Sequence, residues 1–340
     1  MKILITGSAG FLGTYLVKEF LEAGYEVVGL DNFSKYGELH QPYNDHPRYR
    51  FECGDAKDTR LIRELLSGCD HFIAGAAMIG GIAYFHRLAF DLLAENERIS
   101  AASFEAAIDA HRNDRLQKIT VISSSMVFEN TEEYPTPEGA EHRCPPPSST
   151  YGFQKLATEY FAKGAHQQYG LPYTIVRPFN CVGIGERRAV RDETVYSGDI
   201  RLALSHVVPD LVQKIVKGQD PLHILGDGQQ VRHYTYGGDL ARGVRCCVEH
   251  PDAVNDDFNI STAVATSVLE LAEAIWHRVN GDDTPFRYVC DDPFPHDVQR
   301  RSPATEKAKE VLGFEATTTL DQILDEVIPW IREQVELGTI

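Results

Sequence analysis

The sequence has few basic residues and lacks a hydrophobic run long enough to cross a membrane. Its 340 residues include 33 lysines and arginines against 50 aspartates and glutamates, a formal net charge of −17. Such an acidic surface repels phosphate backbones and anionic lipids, so we expect neither nucleic acid nor a membrane as partner. The uncharged stretch 72–85 is too short for a transmembrane helix, and the N-terminus does not resemble a signal peptide. We therefore expect a soluble, cytoplasmic protein.

The cysteines lack the spacing of a metal site. There are seven, an odd number, and no two of them form a C-x-x-C pair. Zinc sites require cysteines at a regular spacing such as C-x-x-C, and disulfide frameworks usually contain an even number of cysteines. We therefore expect reduced thiols and no bound metal.

Hydrophobic patterning predicts alternating strands and helices in the first half of the chain. Predicted strands cover residues 2–6, 26–30, 50–52, 71–74, 118–123 and 173–177, and predicted helices cover 11–23, 59–66, 91–110 and 150–169. This order indicates an α/β fold, a Rossmann-type doubly wound parallel sheet. After about residue 180 the alternation is lost. One strand at 258–260 is predicted to return to the sheet, and residues from 267 onward are mostly helical, with a break at 282–295.

A glycine-rich turn follows the first predicted strand. Residues 6–13 read T-G-S-A-G-F-L-G and lead directly into the first predicted helix. Glycines let the backbone approach a pyrophosphate, and the helix N-terminus supplies free N–H groups. Asp31 ends the second strand, where a carboxylate accepts hydrogen bonds from a ribose 2′-hydroxyl and repels a 2′-phosphate. The pattern predicts NAD rather than NADP as the cofactor, the alternative being a tight turn without a ligand.

Residues after the next strands extend this predicted cofactor site. Asp55 can bond the adenine amino group, or it can be an ordinary loop carboxylate or helix cap. Small residues at 74–77 let the chain pass close to the cofactor, and tight packing explains them equally well. The predicted cofactor-binding residues are Gly7, Ala9, Gly10, Phe11, Leu12, Gly13, Asp31, Asn32, Asp55, Ala56, Ala74, Ala76, Ser123, Tyr151, Lys155 and Pro178.

A tyrosine and a lysine are spaced for proton transfer. Tyr151 and Lys155 form a Y-x-x-x-K pair, and residues i and i+4 share one face of a helix. The ammonium can lower the tyrosine pKa and also bond the nicotinamide ribose. Ser123, Ser124 and Ser125 place hydroxyls at the end of a buried strand, where a serine can hydrogen-bond the reacting hydroxyl or carbonyl of a ligand. Each feature alone also fits a chance helix pattern or a serine-rich strand end.

Together these motifs resemble the extended short-chain dehydrogenase/reductase superfamily. Within it, the sequence is similar to the NAD-dependent nucleotide-sugar epimerases and dehydratases over nearly the whole chain. The resemblance also includes S-S-S-M-V-F at 123–128, R-P-F-N at 177–180, G-D-G-Q-Q-V-R at 226–232 and D-V-Q-R-R at 297–301, with Lys307-Ala308 after it. It implies an NAD-binding Rossmann domain at 1–178 with a returning strand near 255–262. A smaller, interleaved and discontinuous α/β domain at 179–335 would bind the nucleotide sugar.

The resemblance assigns roles to matching positions. Tyr151, Lys155 and Ser124 would be catalytic, with Tyr151 as the base. Arginines suit a diphosphate because a planar guanidinium makes bidentate bonds to phosphate oxygens, although each arginine alone also fits a surface ion pair. The predicted substrate-binding residues are Met78, Ser124, Ser125, Met126, Tyr151, Asn180, Arg232 and Arg300.

Two positions bear on the reaction. In 4,6-dehydratases of this family the two residues after the catalytic hydroxyl are Asp and Glu; decarboxylases typically have Glu at the second position, and GDP-mannose 3,5-epimerases have Cys there. Here they are Ser125 and Met126. Methionine does not titrate, so this position favours epimerisation at C4 of a UDP-sugar through a transient 4-keto intermediate. The substrate could be UDP-glucose, UDP-glucuronate or an N-acetylated sugar.

Several features keep alternatives open. Phe128 and Glu129 replace the usual Tyr and Gly of the family. The loop M-I-G-G at 78–81 somewhat resembles that of GDP-mannose 3,5-epimerases, so a GDP-sugar remains an alternative substrate. The segment 186–206 resembles an insertion, and its arginines Arg187, Arg188 and Arg191 could face a sugar carboxylate or lie in a solvated loop. A 4-ketosugar reductase and a non-enzymatic NAD-binding regulator are the remaining alternatives.

The resemblance further implies a homodimer built on two helices per subunit, at 91–110 and 150–169. Ile99, Ala102, Phe104 and Ala106 would supply apolar surface for that contact. A helix buried within its own chain would show the same pattern.

Overall fold

The computed structural model describes residues 1–80, 88–187, 189, 195–197, 200–202, 206–293 and 298–340. Its strands are β1 (Lys2–Thr6), β2 (Glu26–Asp31), β3 (Tyr49–Cys53), β4 (His71–Ala74), β5 (Lys118–Ile122), β6 (Tyr173–Pro178), β7 (Cys181–Val182), β8 (Val195–Ser197), β9 (Ile200–Leu202), β10 (Leu222–Leu225), β11 (Val231–Arg232), β12 (Thr235–Tyr236), β13 (Asp256–Ile260), β14 (Thr266–Ser267) and β15 (Tyr288–Asp291).

The helices of the described residues are α1 (Phe11–Glu22), α2 (Thr59–Leu66), α3 (Ala89–Asn113), α4 (Thr150–Tyr169), α5 (Val207–Val216), α6 (Gly237–Glu249), α7 (Val268–Asn280), α8 (Glu306–Leu312) and α9 (Leu320–Glu336). Short 3₁₀ helices cover Ser125–Phe128, Ala140–His142 and Pro251–Ala253. The ends agree with the sequence-based prediction to within three residues for the strands and helices expected before residue 180.

Seven strands form one sheet in the order β13-β6-β5-β4-β1-β2-β3. All of its pairings are parallel. Parallel sheets have helices on both faces, so their strands are apolar throughout. Ile3, Leu4 and Ile5 of β1 accordingly have no exposed surface, and burying each side chain contributes about 1.5–3 kcal/mol. The predicted Rossmann-type α/β fold is confirmed.

Helices cover the two faces of this sheet with separate cores. On one face, Leu16 and Phe20 of α1 pack with Leu240 and Val244 of α6. On the other face, α2, α3 and α4 pack together, and their buried residues include Ile62, Ala106 and Ala162. Because the order of the strands reverses between β1 and β4, a crevice opens at the carboxyl ends of these two central strands, where open α/β sheets bind ligands.

The C-terminal part has a third core around α5, α7 and α9. Capping boxes begin two of these helices, Ser267 with Glu270 on α7 and Thr319 with Gln322 on α9. The break predicted at 282–295 contains β15, which pairs in parallel with β10. Tyr288 and Val289 of this strand are exposed, so it lacks the buried alternation by which a strand is recognised. The division into NAD-binding and nucleotide-sugar-binding domains stays a prediction.

Within the part of the chain that the structure describes, no helix combines the length and the apolar character needed to span a membrane.

Candidate active site

The glycine-rich turn brings the chain back close to itself at the end of β1. Gly7 has φ +76°, and its N–H donates to Leu30 O at 2.8 Å. A Cβ on Gly13 would lie 2.0 Å from Gly7 O, so only glycine allows α1 to begin this close to the turn. Gly10 precedes α1, and no side chain caps its N-terminal amides. These amides are therefore oriented to bind a pyrophosphate.

Asp31 ties the end of β2 to this turn. One carboxylate oxygen accepts the N–H of Ala9 at 3.1 Å, and the other accepts that of Phe33 at 2.8 Å. Burial raises the pKa of Asp31, and the backbone hydrogen bonds to Phe33 and Ala9 oppose that effect. The carboxylate thus lies at the end of β2 beside the glycine turn, the position from which an acidic residue accepts ribose hydroxyls in this type of fold. Together with the glycine turn, this donor and acceptor set fits the pyrophosphate and ribose of NAD.

The ends of β1 and β4 are joined by one side chain. Thr6 Oγ1 accepts the N–H groups of Gly75 and Ala76, each at 3.2 Å. A Cβ on Gly7 would lie 2.9 Å from Ala76 Cα, so the two segments touch. Ala74, at the end of β4, and Ala76 thus lie beside the glycine turn, where small side chains are required.

Asn96 of α3 holds the next residues of this loop, and the sequence interpretation missed it. Its side chain accepts the N–H of Met78 at 2.7 Å and donates to Met78 O at 2.9 Å. Asn96 is buried in the helix face that packs on the rest of the chain. A polar residue at such a position is the signal that could have identified it.

The remaining predicted cofactor residues lie at the start of α1 and at or after the carboxyl ends of strands of the same sheet. Phe11 and Leu12 begin α1. Asp55 follows β3, and its Oδ1 accepts the N–H of Lys57 at 2.9 Å. The cap of α2 is Asp58, so Asp55 is not a helix cap. The other predicted members nearby are Asn32, whose side chain accepts the Ser34 N–H, the buried Ala56, and Pro178 at the end of β6.

Ser124 and Tyr151 meet at the carboxyl end of β5. The two side chains are hydrogen-bonded, and both residues are buried. Burial raises the pKa of Tyr151, whereas the Ser124 hydrogen bond and the charge of Arg301 lower it. Proton transfer to Tyr151 therefore depends on cations that stabilise its phenolate. Arg301 belongs to the D-V-Q-R-R motif, but the sequence does not predict that its charge acts on Tyr151.

Lys155 lies differently from the expectation. Its Nζ donates to Ile122 O at 2.9 Å and is 6.0 Å from the centroid of the Tyr151 ring. The ammonium is therefore directed toward a strand carbonyl, and the cation that lowers the tyrosine pKa is Arg301. Burial lowers the pKa of Lys155 to about 8, and the charge of Glu159 opposes this shift.

The three serines at the end of β5 have different environments. Ser123 donates its hydroxyl to Glu159 Oε1 at 2.5 Å, so this hydroxyl is directed into the protein, and its contact with a cofactor stays a prediction. Ser124 Oγ also accepts the N–H of Met126 at 3.2 Å. Ser125 is buried in the short helix that follows.

Met126 packs in an apolar cluster around Tyr151. Its neighbours are Leu92 of α3, Tyr151, Ile79 from the β4 loop and Val298 from the C-terminal part. The loop after β4 and the C-terminal part of the chain thus both contribute to the cluster that contains Tyr151. The position after Ser125 is filled by a buried thioether, which does not exchange protons.

The two departures from the family pattern have structural roles. Glu129 Oε2 accepts the N–H and the hydroxyl of Ser149, at 2.9 and 2.8 Å, and Ser149 caps α4. Glu129 therefore helps to fix the start of the helix that carries Tyr151. The Phe128 ring lies beneath the guanidinium of Arg177, 4.9 Å away.

Three residues are predicted to bind the diphosphate: Asn180 follows β6, Arg232 lies in β11, and Arg300 lies in the C-terminal part of the chain. Asn180 has φ +40°, and its Nδ2 is buried without a hydrogen-bond partner among the described residues. Arg232 Nη1 donates to Val231 O at 2.9 Å. The Arg300 segment bridges to Val231, which brings Arg300 next to β11. A buried amide donor and two guanidinium groups suit an anion such as a diphosphate.

The structure directs Arg187, one arginine of the 186–206 segment, toward the C-terminal helix. Its guanidinium donates to Gln334 at 3.2 Å and lies 5.8 Å from the Trp330 ring. Arg188 and Arg191 are outside the described residues, as are Gly81 and Asp297 of the recognised motifs.

The expectation about the dimer helices needs one correction. Ala102, Phe104 and Ala106 are buried within their own chain, because α3 packs on α2, on α4 and on the sheet. Apolar surface comes instead from α4, where Phe153 and Tyr160 are 49% and 60% exposed. They line a groove of about 630 Å³ between α3 and α4.

Two named proteins match the chain over nearly its whole length. It is 28% identical to the UDP-glucose 4-epimerase of Lacticaseibacillus casei over 99% of this chain and 98% of that protein. The crystal structure of UDP-glucose 4-epimerase with UDP-glucose from Thermotoga maritima superposes with a TM-score of 0.81 at 28% identity, covering 98% of this chain and 100% of that one.

Relatives of different activity match at similar identity. A UDP-N-acetyl-alpha-D-glucosaminuronate decarboxylase of Bacillus cytotoxicus is 26% identical over 98% of both chains. A dTDP-glucose 4,6-dehydratase of Streptomyces niveus is 27% identical over 98% of this chain and 93% of that one. Overall identity therefore does not separate these reactions. A family model, that of the NAD dependent epimerase/dehydratase family, matches residues 3–261. The chain is an enzyme that belongs to this NAD-dependent family.

Proposed function

We propose that the protein is a nucleotide-sugar 4-epimerase acting on a UDP-sugar such as UDP-glucose, UDP-glucuronate or an N-acetylated sugar. The observation that carries this proposal is Met126, a non-titrating side chain packed against Tyr151. Dehydration and decarboxylation in related enzymes use a carboxylic acid at the corresponding position. Epimerisation at C4 requires no proton-transfer group there. The named UDP-glucose 4-epimerases among the relatives favour a uridine nucleotide.

Each side chain of the site has a role in this proposed reaction. Tyr151 takes the proton of the sugar 4-hydroxyl as C4 is oxidised, and returns it after the keto sugar has presented its other face. Ser124, hydrogen-bonded to Tyr151, holds the same oxygen. When bound, NAD supplies the group that accepts the C4 hydride and gives it back. Arg301 provides positive charge that favours the phenolate of Tyr151, and Lys155 would bond the nicotinamide ribose.

The cofactor side of the site supports a redox-neutral reaction. Asp31 would bond the ribose hydroxyls of NAD, and its carboxylate would repel the 2′-phosphate of NADP. An epimerase regenerates its oxidant in every cycle, so retained NAD suffices. A net reductase would need reduced cofactor in stoichiometric amounts.

The diphosphate is assigned to Asn180, Arg232 and Arg300. The buried Nδ2 of Asn180 has no partner among the described residues, and a phosphate oxygen would satisfy it. Exposed Arg300 and the largely buried Arg232 would bind the remaining oxygens from the C-terminal part. The sugar would then extend toward Tyr151 and Met126.

Proton NMR of the purified protein with UDP-, GDP- and dTDP-sugars, without added cofactor, tests this function. A new anomeric signal that reaches the same ratio from either isomer is the expected result, and it identifies the nucleotide and the sugar. A GDP-sugar as the only substrate would contradict the uridine assignment. Turnover of a 4-keto sugar only with added NADH or NADPH would establish a reductase instead.

A further inference from the structure

An aromatic ring lies beneath one of the two diphosphate arginines. The guanidinium of Arg300 is 4.9 Å from the centroid of the Tyr134 ring. Tyr134 is half-buried in the connection from β5 to α4, and Arg300 is exposed. The Tyr134 hydroxyl donates to Thr131 O at 2.8 Å. The hydroxyl is thus used within its own loop, and the ring face contacts the cation.

Backbone hydrogen bonds fix the ring and the arginine relative to each other. The N–H of Thr136 donates to Ser302 O at 2.7 Å, and the N–H of Ala304 donates to Thr136 O at 2.8 Å. These bonds join the two segments at Thr136, two residues beyond Tyr134, and at Ser302 and Ala304, two and four residues beyond Arg300. The contact between ring and guanidinium is therefore part of the folded arrangement of two neighbouring segments.

The charge of Arg232 also acts on Tyr134. Burial raises the pKa of Tyr134, and the charges of Arg300 and Arg232 both lower it. Arg232 Nη1 donates to Val231 O at 2.9 Å and to Gln299 O at 3.4 Å, next to Arg300 in the chain. The charges of both predicted diphosphate ligands thus act on one aromatic side chain, and Arg300 contacts its ring.

The partner of Arg300 is a ring rather than a carboxylate. Glu133, adjacent to Tyr134, pairs with Arg143 at 2.8 Å, and no carboxylate among the described residues pairs with Arg300. A carboxylate would orient the guanidinium but would compete with phosphate for its donors. An aromatic face orients the same plane and leaves the N–H groups and the charge available.

We propose that Tyr134 is a positioning residue for substrate binding, an aromatic platform that holds Arg300 in the plane required by the substrate diphosphate. The inference rests on the proposed function, in which Arg300 binds that diphosphate. Tyr134 touches neither the reacting carbon nor the cofactor in this scheme. It acts on nucleotide affinity and leaves the proton-transfer group unchanged.

Binding to the NAD-loaded protein tests this role. UDP, GDP and dTDP are titrated calorimetrically into wild type, Tyr134→Leu, Tyr134→Phe and Arg300→Lys, and uridine, which lacks phosphate, is titrated by NMR. Loss of the ring in Tyr134→Leu is expected to weaken binding of the preferred nucleoside diphosphate about three- to fivefold. Binding of the nucleoside alone stays unchanged, and Tyr134→Phe, which keeps the ring, binds like wild type. The KM of the nucleotide sugar rises by the same factor at constant kcat.

The controls separate the possible failures. Tyr288→Leu, which removes a half-exposed tyrosine of β15, should bind like wild type. If Arg300→Lys weakens binding and Tyr134→Leu does not, the platform role is wrong. Equal losses in Tyr134→Phe and Tyr134→Leu, or an equal loss for the nucleoside, would make Tyr134 a general loop anchor and also overturn it. If Arg300→Lys binds normally, or no nucleoside diphosphate binds at all, the proposed diphosphate site itself fails. Should Tyr134→Leu not fold, Tyr134→Met replaces it.

Discussion

Ser123 donates its hydroxyl hydrogen to Glu159 across 2.5 Å, which ties the end of β5 to α4, the helix that carries Tyr151. Glu159 lies one helical turn beyond Lys155, and its charge raises the pKa of that lysine. The Glu159 carboxylate also accepts two hydrogen bonds from Arg177, at 2.8 and 2.7 Å. The Glu159 carboxylate is thus a buried anion on the same helix as the Tyr151–Lys155 pair, one turn beyond Lys155.

Arg177 connects this anion to two further carboxylates. Its guanidinium is fully buried and pairs with Glu141 at 3.0 Å and with Asp257 of β13. Breaking one partner of a buried ion pair typically costs about 3–5 kcal/mol. When either Glu141 or Glu159 is replaced by glutamine, Arg177 keeps two carboxylate partners. We therefore expect these variants to fold with reduced stability.

The first prediction concerns Glu159→Gln. Without the negative charge the ammonium of Lys155 is less stabilised, so its pKa falls below the value of about 8 in the wild-type protein. A lower pKa means that Lys155 loses its proton at lower pH. The alkaline limb of the pH profile of kcat/KM is therefore expected to move to lower pH, as measured in the epimerase assay.

Glu141→Gln is the matched control for this variant. It also removes a carboxylate from Arg177, but Glu141 does not contribute to the pKa shift of Lys155. Both variants should lose thermal stability, and only Glu159→Gln should shift the alkaline limb. Equal shifts in the two variants, or none in either, would refute the electrostatic role of Glu159.

The second prediction is that Tyr151→Phe abolishes turnover and spares cofactor binding. The phenyl ring keeps the apolar contacts with Met126 and loses only the proton-transfer group. General acid–base catalysis typically contributes about 10²–10⁴-fold, so kcat should fall by at least about 10². Tyr173→Phe removes a hydroxyl from another buried tyrosine and should have little effect. Activity of Tyr151→Phe within tenfold of wild type would mean that another group is the base.

Much of this site follows from the sequence because parallel strands end at the same edge of the sheet. The motifs at residues 6–13 and 123–128, and Asp31, each follow a predicted strand, so their convergence could be anticipated. The Tyr151–Lys155 pair follows from helix periodicity in the same way. The family resemblance then supplied the roles that geometry alone does not assign.

Contacts made across long sequence separations could not be predicted. The Asn96 contact with Met78 depends on how α3 packs against the loop, and the charge of Arg301, 150 residues further along the chain, acts on Tyr151. The direction of Lys155 depends on the exact distance to a strand carbonyl. Ala102 and Ala106 fit a dimer surface as well as a core, because the apolar stripe of a helix does not indicate whether its own chain or a second subunit covers it.

The third prediction concerns cofactor choice. Asp31→Asn keeps one acceptor for the backbone N–H groups of the turn but removes the charge that repels a 2′-phosphate. We expect about tenfold weaker NADH binding and a smaller preference over NADPH, since hydrogen bonds to charged groups contribute about 1.5–3 kcal/mol. Titrations of both reduced cofactors by fluorescence measure this. Asp45→Asn, which removes an exposed carboxylate from the following loop, serves as the control. An unchanged preference for NADH in Asp31→Asn would contradict the assigned role of Asp31.

The last prediction is that the protein forms a homodimer through α4 and α3. The family resemblance implies this arrangement, and the groove of about 630 Å³ between the two helices is lined by exposed aromatic side chains. Burying Phe153 and Tyr160 against a second copy would remove apolar surface from water, which is the main driving force of such contacts. Tyr160→Glu places a charge in that contact and should shift the protein to a monomer in size-exclusion chromatography with light scattering. Val264→Glu changes a 64% exposed residue elsewhere and should leave the mass unchanged. A wild-type monomer, or a Tyr160→Glu protein that remains dimeric, would show that this helix face is not the interface.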